Sequence, residues 1–145
     1  MPEIIDAASA LARLQAAHTI AVLGVSTRPG RPGYYVPEYL AERGYRVLPV
    51  NPRYVGQRLL GEPVRGTLAE IEEPIDLIDV FRNPADLPSH LSELLALRPP
   101  PGLVWFQLGI RNQAVADALV AADIDVVQDK CTLALLRSAR SDLGA

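Results

Sequence analysis

Short, almost purely apolar segments alternate along this chain with segments whose apolar residues recur at helical spacing. The apolar runs at 19–25, 46–50, 77–81, 103–106 and 126–127 predict strands of a sheet that is covered on both faces. Helical spacing and capping residues predict helices over 6–17, 35–43, 83–97, 112–122 and 132–138, and a capping box at 67–70 predicts a further short helix. Strands and helices that alternate in this way indicate parallel βαβ units with right-handed crossovers.

The predicted fold class is therefore α/β, a Rossmann-like doubly wound parallel sheet of about five strands with helices on both faces. We expect the strand order 3-2-1-4-5 and an extra helix before the first strand. Residues 1–145 are predicted to form a single domain. The pair Leu59-Leu60 is compatible with a short edge strand or with a loop, and residues 141–145 are expected to fray.

Composition and charge narrow the class of protein. Hydrophobic residues make up 49% and charged residues 21% of the chain, as in ordinary globular proteins. The formal net charge of -3 argues against a nucleic-acid partner, and no apolar run predicts a membrane span or a signal peptide. The single cysteine, Cys131, excludes an internal disulfide and indicates a reducing compartment. We therefore expect a cytoplasmic protein.

The loop after the first predicted strand is the first candidate for ligand binding. There Gly24 and Val25 end the apolar run, and Ser26, Thr27 and Arg28 follow before a predicted helix. Ligands of parallel α/β sheets bind outside the carboxyl ends of the strands, where a helix N-terminus attracts phosphate. Serine and threonine hydroxyls can donate hydrogen bonds to phosphate, and arginine can bind it through two. The alternative is a plain strand–helix turn with a solvated arginine.

The loop after the second predicted strand reads Asn51-Pro52-Arg53. Domains that bind NAD place an acidic residue here, which binds the ribose hydroxyls, and this chain has none. An arginine at this point instead suits a phosphorylated ribose. Two ligands carry one: NADP, with a 2′-phosphate, and coenzyme A (CoA), with a 3′-phosphate. A surface arginine after a turn is the alternative interpretation.

Two further loops follow the third and fourth predicted strands. Phe81 ends the third strand, where it could pack in the core or against an adenine, and Asn83 is better explained as a helix cap. Gln107 and Gly109 follow the fourth strand and could line the path of the second half of a ligand, facing the first loop across the switch point. Trp105 is expected in the core.

Motifs of several common nucleotide enzymes are absent from the sequence. Neither Gly-x-Gly-x-x-Gly nor a P-loop follows the first strand. His18 and His90 have no obvious partner, and no acid–base pair or metal-ligand cluster emerges from the spacing. We therefore predict neither catalytic residues nor a metal site.

Five motifs in order nevertheless resemble a known family. They are Leu23-Gly24-Val25-Ser26, Val50-Asn51-Pro52-Arg53, Val80-Phe81-Arg82-Asn83-Pro84, Trp105-Phe106-Gln107-Leu108-Gly109 and Asp129-Lys130-Cys131. Over roughly 17–137 the chain resembles the small stand-alone CoA-binding proteins, which are similar to the N-terminal domain of the succinyl-CoA synthetase alpha subunit.

The resemblance implies a role for each loop. Residues 24–28 would hold the CoA diphosphate, and Pro52-Arg53 would meet the adenosine and its 3′-phosphate. Phe81 and Pro84 would border the adenine, and the segment from Gln107 to Ile110 would lie along the pantetheine arm. The synthetase carries its phosphorylated histidine in a second domain, which this chain lacks, so the resemblance implies binding without ligase chemistry.

One departure from the family pattern lies in the first loop, where Arg28-Pro29 replaces a small residue of the synthetase loop. The predicted function is non-catalytic binding of coenzyme A or acyl-CoA by loops at the C-terminal ends of the strands. The alternatives are a small NADP-dependent oxidoreductase and a structural Rossmann-like module without a ligand. Substitution of Arg28 and Arg53 separates CoA binding from the structural module, because it should abolish binding in the first case and change nothing in the second. A protein partner or a homo-oligomer stays open.

Overall fold

A six-stranded parallel sheet forms the centre of the molecule. The computed structural model describes residues 3–144, with side chains as far as residue 140; residue 145 and the side chains of 141–144, where we predict fraying, lie outside that part. The strands of the sheet are β1 (Glu3–Ile4), β2 (Thr19–Leu23), β3 (Arg46–Val50), β6 (Leu77–Val80), β7 (Leu103–Phe106) and β8 (Asp125–Val127), and a separate antiparallel hairpin consists of β4 (Arg58–Leu59) and β5 (Glu62–Pro63).

Five helices cover both faces of the sheet, which confirms the predicted fold class. They are α1 (Ala7–Ala16), α2 (Pro32–Glu42), α3 (Leu87–Ala96), α4 (Gln113–Ala121) and α5 (Thr132–Gly144). One apolar layer joins the sheet to α3 and α4, and a second joins the opposite face to α1, α2 and α5. Within the described residues, none of these helices is long and apolar enough to cross a membrane.

Capping side chains fix several helix ends. The predicted caps at Asp6 and Asn112 are confirmed, because their side chains accept hydrogen bonds from the backbone N–H groups of Ser9 and Val115. Asn83 occupies the predicted N-cap position before Pro84, but of a 3-10 helix (Pro84–Asp86) that precedes α3, and its side chain makes no capping hydrogen bond.

The order of the strands differs from the predicted one. Across the sheet the strands run β1-β8-β7-β6-β2-β3, so the third predicted strand lies beside the first and not outside the second. The outer edge of β3 is occupied by the chain itself, because the N–H of Arg65 donates to the carbonyl of Pro49 and that of Asn51 donates to the carbonyl of Arg65. Proline has no N–H to donate to a further strand, which marks β3 as an edge.

Two short elements could not be assigned from the hydrophobic pattern of the sequence. The strand β1 pairs in parallel with β8 over only two residues and makes a sixth strand in place of the five predicted. The pair Leu59-Leu60 belongs to a hairpin, in which Leu59 pairs with Glu62 and Leu60 adopts a positive φ of 59° in the turn.

The strand order fixes the position of the switch point. From β2 the chain crosses through α2 to β3 on one side, and it then returns past β2 to β6 on the other. The loops after β2 and β6 therefore leave neighbouring strands in opposite directions, and a crevice opens between them. The loop after β6 therefore faces the loop after β2 across the switch point. The predicted strand order placed the loop after β7 in this position.

Candidate functional site

A cavity of about 510 Å³ lies at the carboxyl ends of the parallel strands, at this switch point. It is bounded by the loops that follow β2, β3, β6, β7 and β8 and by the first turns of α2. The described residues that line it are Gly24, Ser26, Arg28, Arg31, Pro32, Gly33, Tyr35, Val36, Arg53, Tyr54, Phe81, Arg82, Asn83, Pro84, Gln107, Leu108, Ile110 and Cys131.

Most of the residues that the sequence singled out meet in this cavity. The lining includes Gly24, Ser26, Arg28, Arg53, Phe81, Asn83, Pro84, Gln107 and Ile110, which come from four separate loops. Because these loops follow strands of one parallel sheet, they share one edge.

The remaining candidates lie outside the lining. Val25 is buried in the core, Pro52 opens an exposed 3-10 turn, and Thr27 is half-buried within the first loop. Asn51 and Gly109 hold the loops in place, as described next. Five of the candidate residues are therefore not brought to the cavity wall, among them Val25, Thr27 and Pro52.

Asn51 connects two of the loops. Its Nδ2 donates to the carbonyl of Val25 at 2.9 Å, and its Oδ1 accepts from the N–H of Arg53 at 3.0 Å. The side chain is buried, with 9% of its surface exposed. Asn51 thereby fixes the loop after β2 against the loop after β3. In the loop after β7, the N–H of Gly109 donates to the Oδ1 of Asp129 at 2.6 Å.

Gly24 is required where the first loop passes the end of β6. Its φ is +93°, and a Cβ at this position would lie 2.4 Å from the carbonyl oxygen of Phe81. Only glycine adopts such a φ without strain and leaves room for that oxygen. Behind it, the N–H of Ser26 donates to the carbonyl of Gly33 at 3.0 Å, which closes the loop onto the start of α2.

The N-terminus of α2 opens into the cavity. The helix begins at Pro32, three residues before the predicted start, and Arg31 at the N-cap makes no side-chain capping bond. The first turn of a helix carries partial positive charge. Here Pro32 has no N–H, and the N–H groups of Tyr34 and Tyr35 donate to the carbonyl of Arg31, which leaves the N–H of Gly33 without a partner among the described residues. Because Pro32 and Gly33 line the cavity, this positive end faces the space between the loops.

Four arginines surround the same space. Arg28, Arg31 and Arg53 are exposed to solvent, and Arg82 is half-buried. Among the described residues, the only acidic contact of this group is a 4.0 Å pair between Arg82 and Asp86, and the described lining contains no aspartate or glutamate. Because the whole chain has a net charge of -3, positive charge is concentrated at the cavity.

Apolar side chains form the rest of the wall. Phe81 is half-buried: it packs against the core and also lines the cavity, so both interpretations drawn from the sequence fit its position. Tyr54 stacks beneath the guanidinium of Arg53 at 6.0 Å. Tyr35 and Leu108 are large apolar residues with 43% and 70% of their surface exposed. The cavity thus offers apolar contact as well as positive charge.

Several lining residues were missed by the sequence analysis. Arg31 and Gly33 belong to a helix start that the pattern placed too late, although Pro32 is a common first helical residue and could have indicated it. Arg82 was attributed no role, and Tyr54 was not singled out. Cys131, by contrast, belongs to a motif that the sequence placed near the end of the last strand, and it is half-buried and lines the cavity.

A buried carboxyl group was missed as well. Asp79 lies in β6, is fully buried, and contacts Gln107 and Thr132 through hydrogen bonds. Burial raises the pKa of Asp79 from 3.8 to about 7, although the hydrogen bonds from Gln107 and Thr132 oppose the shift. A group that titrates near neutral pH is therefore connected to the lining residue Gln107.

The histidines lie away from the cavity. Contrary to the sequence interpretation, each has a neighbour: the Nδ1 of His18 lies 3.3 Å from the Oγ1 of Thr19, and the Nδ1 of His90 lies 3.3 Å from the Oε2 of Glu93. Within the described part of the chain, no group of three or more His, Cys, Asp or Glu side chains is placed to hold a metal ion.

Known proteins share this sequence and fold. The chain is 35% identical over 118 residues to an uncharacterized protein of Bacillus subtilis (strain 168), YneT, with 81% of this chain and 84% of that protein covered. It is 50% identical to a solved structure from Thermus thermophilus, cell-free ID.343, with a TM-score of 0.86 over 92% of this chain and 98% of that one. A hypothetical protein from Pyrococcus horikoshii OT3 is 26% identical, with a TM-score of 0.82 over 92% and 91% of the two chains.

The comparison with protein families covers most of the chain. The sequence model of the CoA binding domain matches residues 18–137. This range runs from the start of β2 into α5 and so contains every loop of the cavity. The chain therefore belongs to the family of the CoA binding domain.

Proposed function

We propose that the cavity binds coenzyme A or an acyl-CoA and that the chain catalyses no reaction on it. The observation that carries this proposal is the set of four arginines around a helix N-terminus, with no acidic residue in the described lining. Coenzyme A has a diphosphate and a 3′-phosphate, which together need several cationic partners. Charge-assisted hydrogen bonds from arginine and the positive end of a helix, here with the N–H of Gly33, are partners that phosphates prefer.

The proposal assigns the ligand along the cavity. The first loop with Arg28 and the start of α2 hold the diphosphate, and Arg53 holds the 3′-phosphate. Phe81 and Pro84 border the adenine. The pantetheine arm runs toward Gln107 and the residues after it. An acyl group at the end of the arm is compatible with the apolar side chain of Ile110 in the same wall.

The proposed lack of catalysis rests on the chemistry of the lining. General acids and bases are most often His, Asp, Glu or Lys, and none of these residue types lines the described cavity. The chain would then act as a carrier, a sensor or a subunit of a larger enzyme. With a single cysteine in the sequence, we place it in the reducing cytoplasm.

Calorimetric titration with CoA, NADP and NAD tests the proposal. We expect saturable one-to-one binding of CoA, with weak or no binding of NADP and NAD. Arg53→Ala should weaken CoA binding roughly tenfold or more, because a hydrogen bond to a charged group contributes about 1.5–3 kcal/mol. Arg140→Ala removes the same charge from an exposed position outside the lining and should leave the affinity unchanged.

The other outcomes decide between the alternatives. Tight NADP binding without CoA binding would contradict the proposal and favour an oxidoreductase. If no ligand binds, and if thermal melting shows that the protein is folded, the cavity belongs to a structural module. A ligand that binds only the folded state must raise the melting temperature, so thermal shifts provide an independent check.

A further inference from the structure

A closed ring of hydrogen bonds lies beneath the cavity. The Nε2 of Gln107 donates to the Oδ1 of Asp79 at 2.7 Å and to the Oγ1 of Thr132 at 2.8 Å. The hydroxyl of Thr132 donates in turn to the Oδ2 of Asp79 at 3.3 Å. The three side chains are 0%, 4% and 0% exposed for Asp79, Gln107 and Thr132, so bulk water does not compete for these bonds.

The ring fixes the orientation of the Gln107 amide. An ionised carboxylate only accepts hydrogen bonds, so Asp79 requires that the amide nitrogen face it. Both protons of that nitrogen are then used within the ring. The Oε1 of Gln107 receives no hydrogen bond from the described residues. Gln107 also lines the cavity. The wall therefore presents an acceptor at this point.

Protonation of Asp79 reverses this requirement. A neutral carboxyl has one proton to donate and needs an acceptor. The Thr132 hydroxyl already donates to Oδ2 and has no other acceptor among the described residues, so the proton belongs on Oδ1, which faces Gln107. Rotation of the Gln107 amide by half a turn supplies its Oε1 to Asp79 and moves the NH₂ group toward the cavity. The wall then presents a donor where it presented an acceptor.

The side chains in direct contact with Asp79 are uncharged. In the sheet it lies between Val22 of β2 and Trp105 of β7, and Thr132 covers it from α5. Burial is the leading influence on its pKa, and among the described residues no charged group contributes. The described titratable side chains of the packed elements and adjoining loops are Arg13 on α1, Tyr34, Tyr35, Glu38, Tyr39 and Glu42 on α2, Arg82 after β6, Asp129, Lys130 and Cys131 after β8, and Arg137 and Arg140 on α5.

Some of these groups are paired elsewhere. Arg13 binds Asp125, and Arg137 stacks over the ring of Tyr39 at 5.5 Å. The titration of Asp79 is therefore set by the ring and by its burial.

We propose that Asp79 is a positioning residue, which holds the Gln107 amide so that the cavity accepts a hydrogen bond from an N–H group of the ligand. This inference rests on the proposed function, because the pantetheine arm of CoA carries two amide N–H groups and the adenosine bisphosphate part does not reach toward Gln107 in that assignment. When Asp79 is protonated, the reversed amide opposes the ligand N–H with a second donor. Binding of the arm then weakens.

Affinities measured at pH 6 and pH 8 test the proposal, with two ligands and two proteins. Adenosine 3′,5′-bisphosphate has the 3′-phosphate but no pantetheine arm, so it reports the titration of the phosphates and of all other groups. When the pH is lowered from 8 to 6, the unmodified protein should lose affinity for CoA and for the bisphosphate to different extents. The loss for CoA should be about tenfold larger than the loss for the bisphosphate. The Asp79→Asn protein has no titrating group in the ring, and its two affinities should change in parallel.

A second measurement does not depend on a ligand. The side-chain NH₂ signals of Gln107 in ¹H–¹⁵N spectra, assigned by their loss in Gln107→Met, should shift with a midpoint near pH 7 and stay constant in Asp79→Asn. A shift in the unmodified protein alone supports the proposal.

Three results would overturn it: parallel changes for CoA and the bisphosphate in the unmodified protein, a pH step that survives in Asp79→Asn, or Gln107 signals that do not respond to pH. If CoA binds at neither pH, the proposed function fails on its own, and the Gln107 signals still decide whether Asp79 controls the amide.

Discussion

Replacement of Asp79 by asparagine should stabilise the protein, and increasingly so as the pH rises. Asp79 is fully buried, and its pKa is raised from 3.8 to about 7. Between these two values the folded state retains a proton that the unfolded state has released, so the free energy of unfolding falls as the pH rises toward 7. Below the unfolded value and above the folded value, Asp79 contributes no further pH dependence.

The size of the effect follows from the two pKa values. The difference between a pKa of 3.8 in the unfolded chain and about 7 in the folded protein corresponds to about 4 kcal/mol of unfolding free energy. Between pH 5 and pH 8, the unmodified protein should lose about 2–3 kcal/mol of this free energy. Asparagine has nearly the same shape: its Oδ1 can accept from the Thr132 hydroxyl and its Nδ2 can donate to the Oε1 of the rotated Gln107 amide, as the neutral carboxyl does. It therefore keeps the ring filled without burying a charge.

Urea-induced unfolding of both proteins from pH 5 to pH 8 measures the effect. The difference in the free energy of unfolding, Asp79→Asn minus unmodified protein, should rise by about 2–3 kcal/mol over this range, because all other groups cancel. Asp117→Asn makes the same change at an exposed position on α4, and its difference should stay constant. A constant difference for Asp79→Asn, or one that falls with pH, would refute the reasoning.

Three further substitutions, each compared by urea unfolding, test two contacts of the loops and the ion pair between α1 and the start of β8. Gly24→Ala should lower the free energy of unfolding by about 3 kcal/mol, because the added Cβ would lie 2.4 Å from a backbone carbonyl oxygen. Gly44 has a similar φ but no heavy atom within 4 Å of an added Cβ, so Gly44→Ala should lower it by about 1 kcal/mol. Equal losses for the two variants would contradict the steric argument. Asn51→Ala should cost about 2 kcal/mol, because it removes two hydrogen bonds from buried loops, and an unchanged stability would show that the loops hold without it. Arg13→Met should cost about 3 kcal/mol by leaving the carboxylate of Asp125 buried and unpaired, and a neutral result would mean that this carboxylate is already solvated.

Local patterns predicted the elements of the fold better than their arrangement. The five longer strands were found because each is an apolar run bounded by a helix or a turn. Their order is set by contacts between distant parts of the chain, such as the backbone bonds of Arg65 to the edge of β3, which no local pattern contains. Pro49 was the one local indication that β3 is an edge. The strand β1 is too short to show a period at all.

The candidate site was predicted in position but not in composition. Loops that follow parallel strands share one edge, so Arg28, Arg53 and Gln107 could be placed together from the sequence. Arg31 and Arg82 reach the cavity from a helix start and a turn whose geometry the sequence does not reveal. Asp79 stood within an apolar run and was read only as part of a strand, although aspartate is rare in buried strands and indicates a specific role there.

Coupling between Arg53 and the 3′-phosphate of the ligand tests the central claim most directly. Calorimetric titrations of the unmodified protein and of Arg53→Ala with CoA and with dephospho-CoA, which lacks that phosphate, form a complete cycle. The account predicts that the unmodified protein binds CoA at least about tenfold more tightly than dephospho-CoA and that Arg53→Ala binds both equally. If the unmodified protein does not distinguish the two ligands, or if Arg53→Ala weakens both to the same extent, the proposed binding of the 3′-phosphate by Arg53 is contradicted. If the unmodified protein binds neither ligand, the proposed binding of CoA in this cavity is contradicted as well.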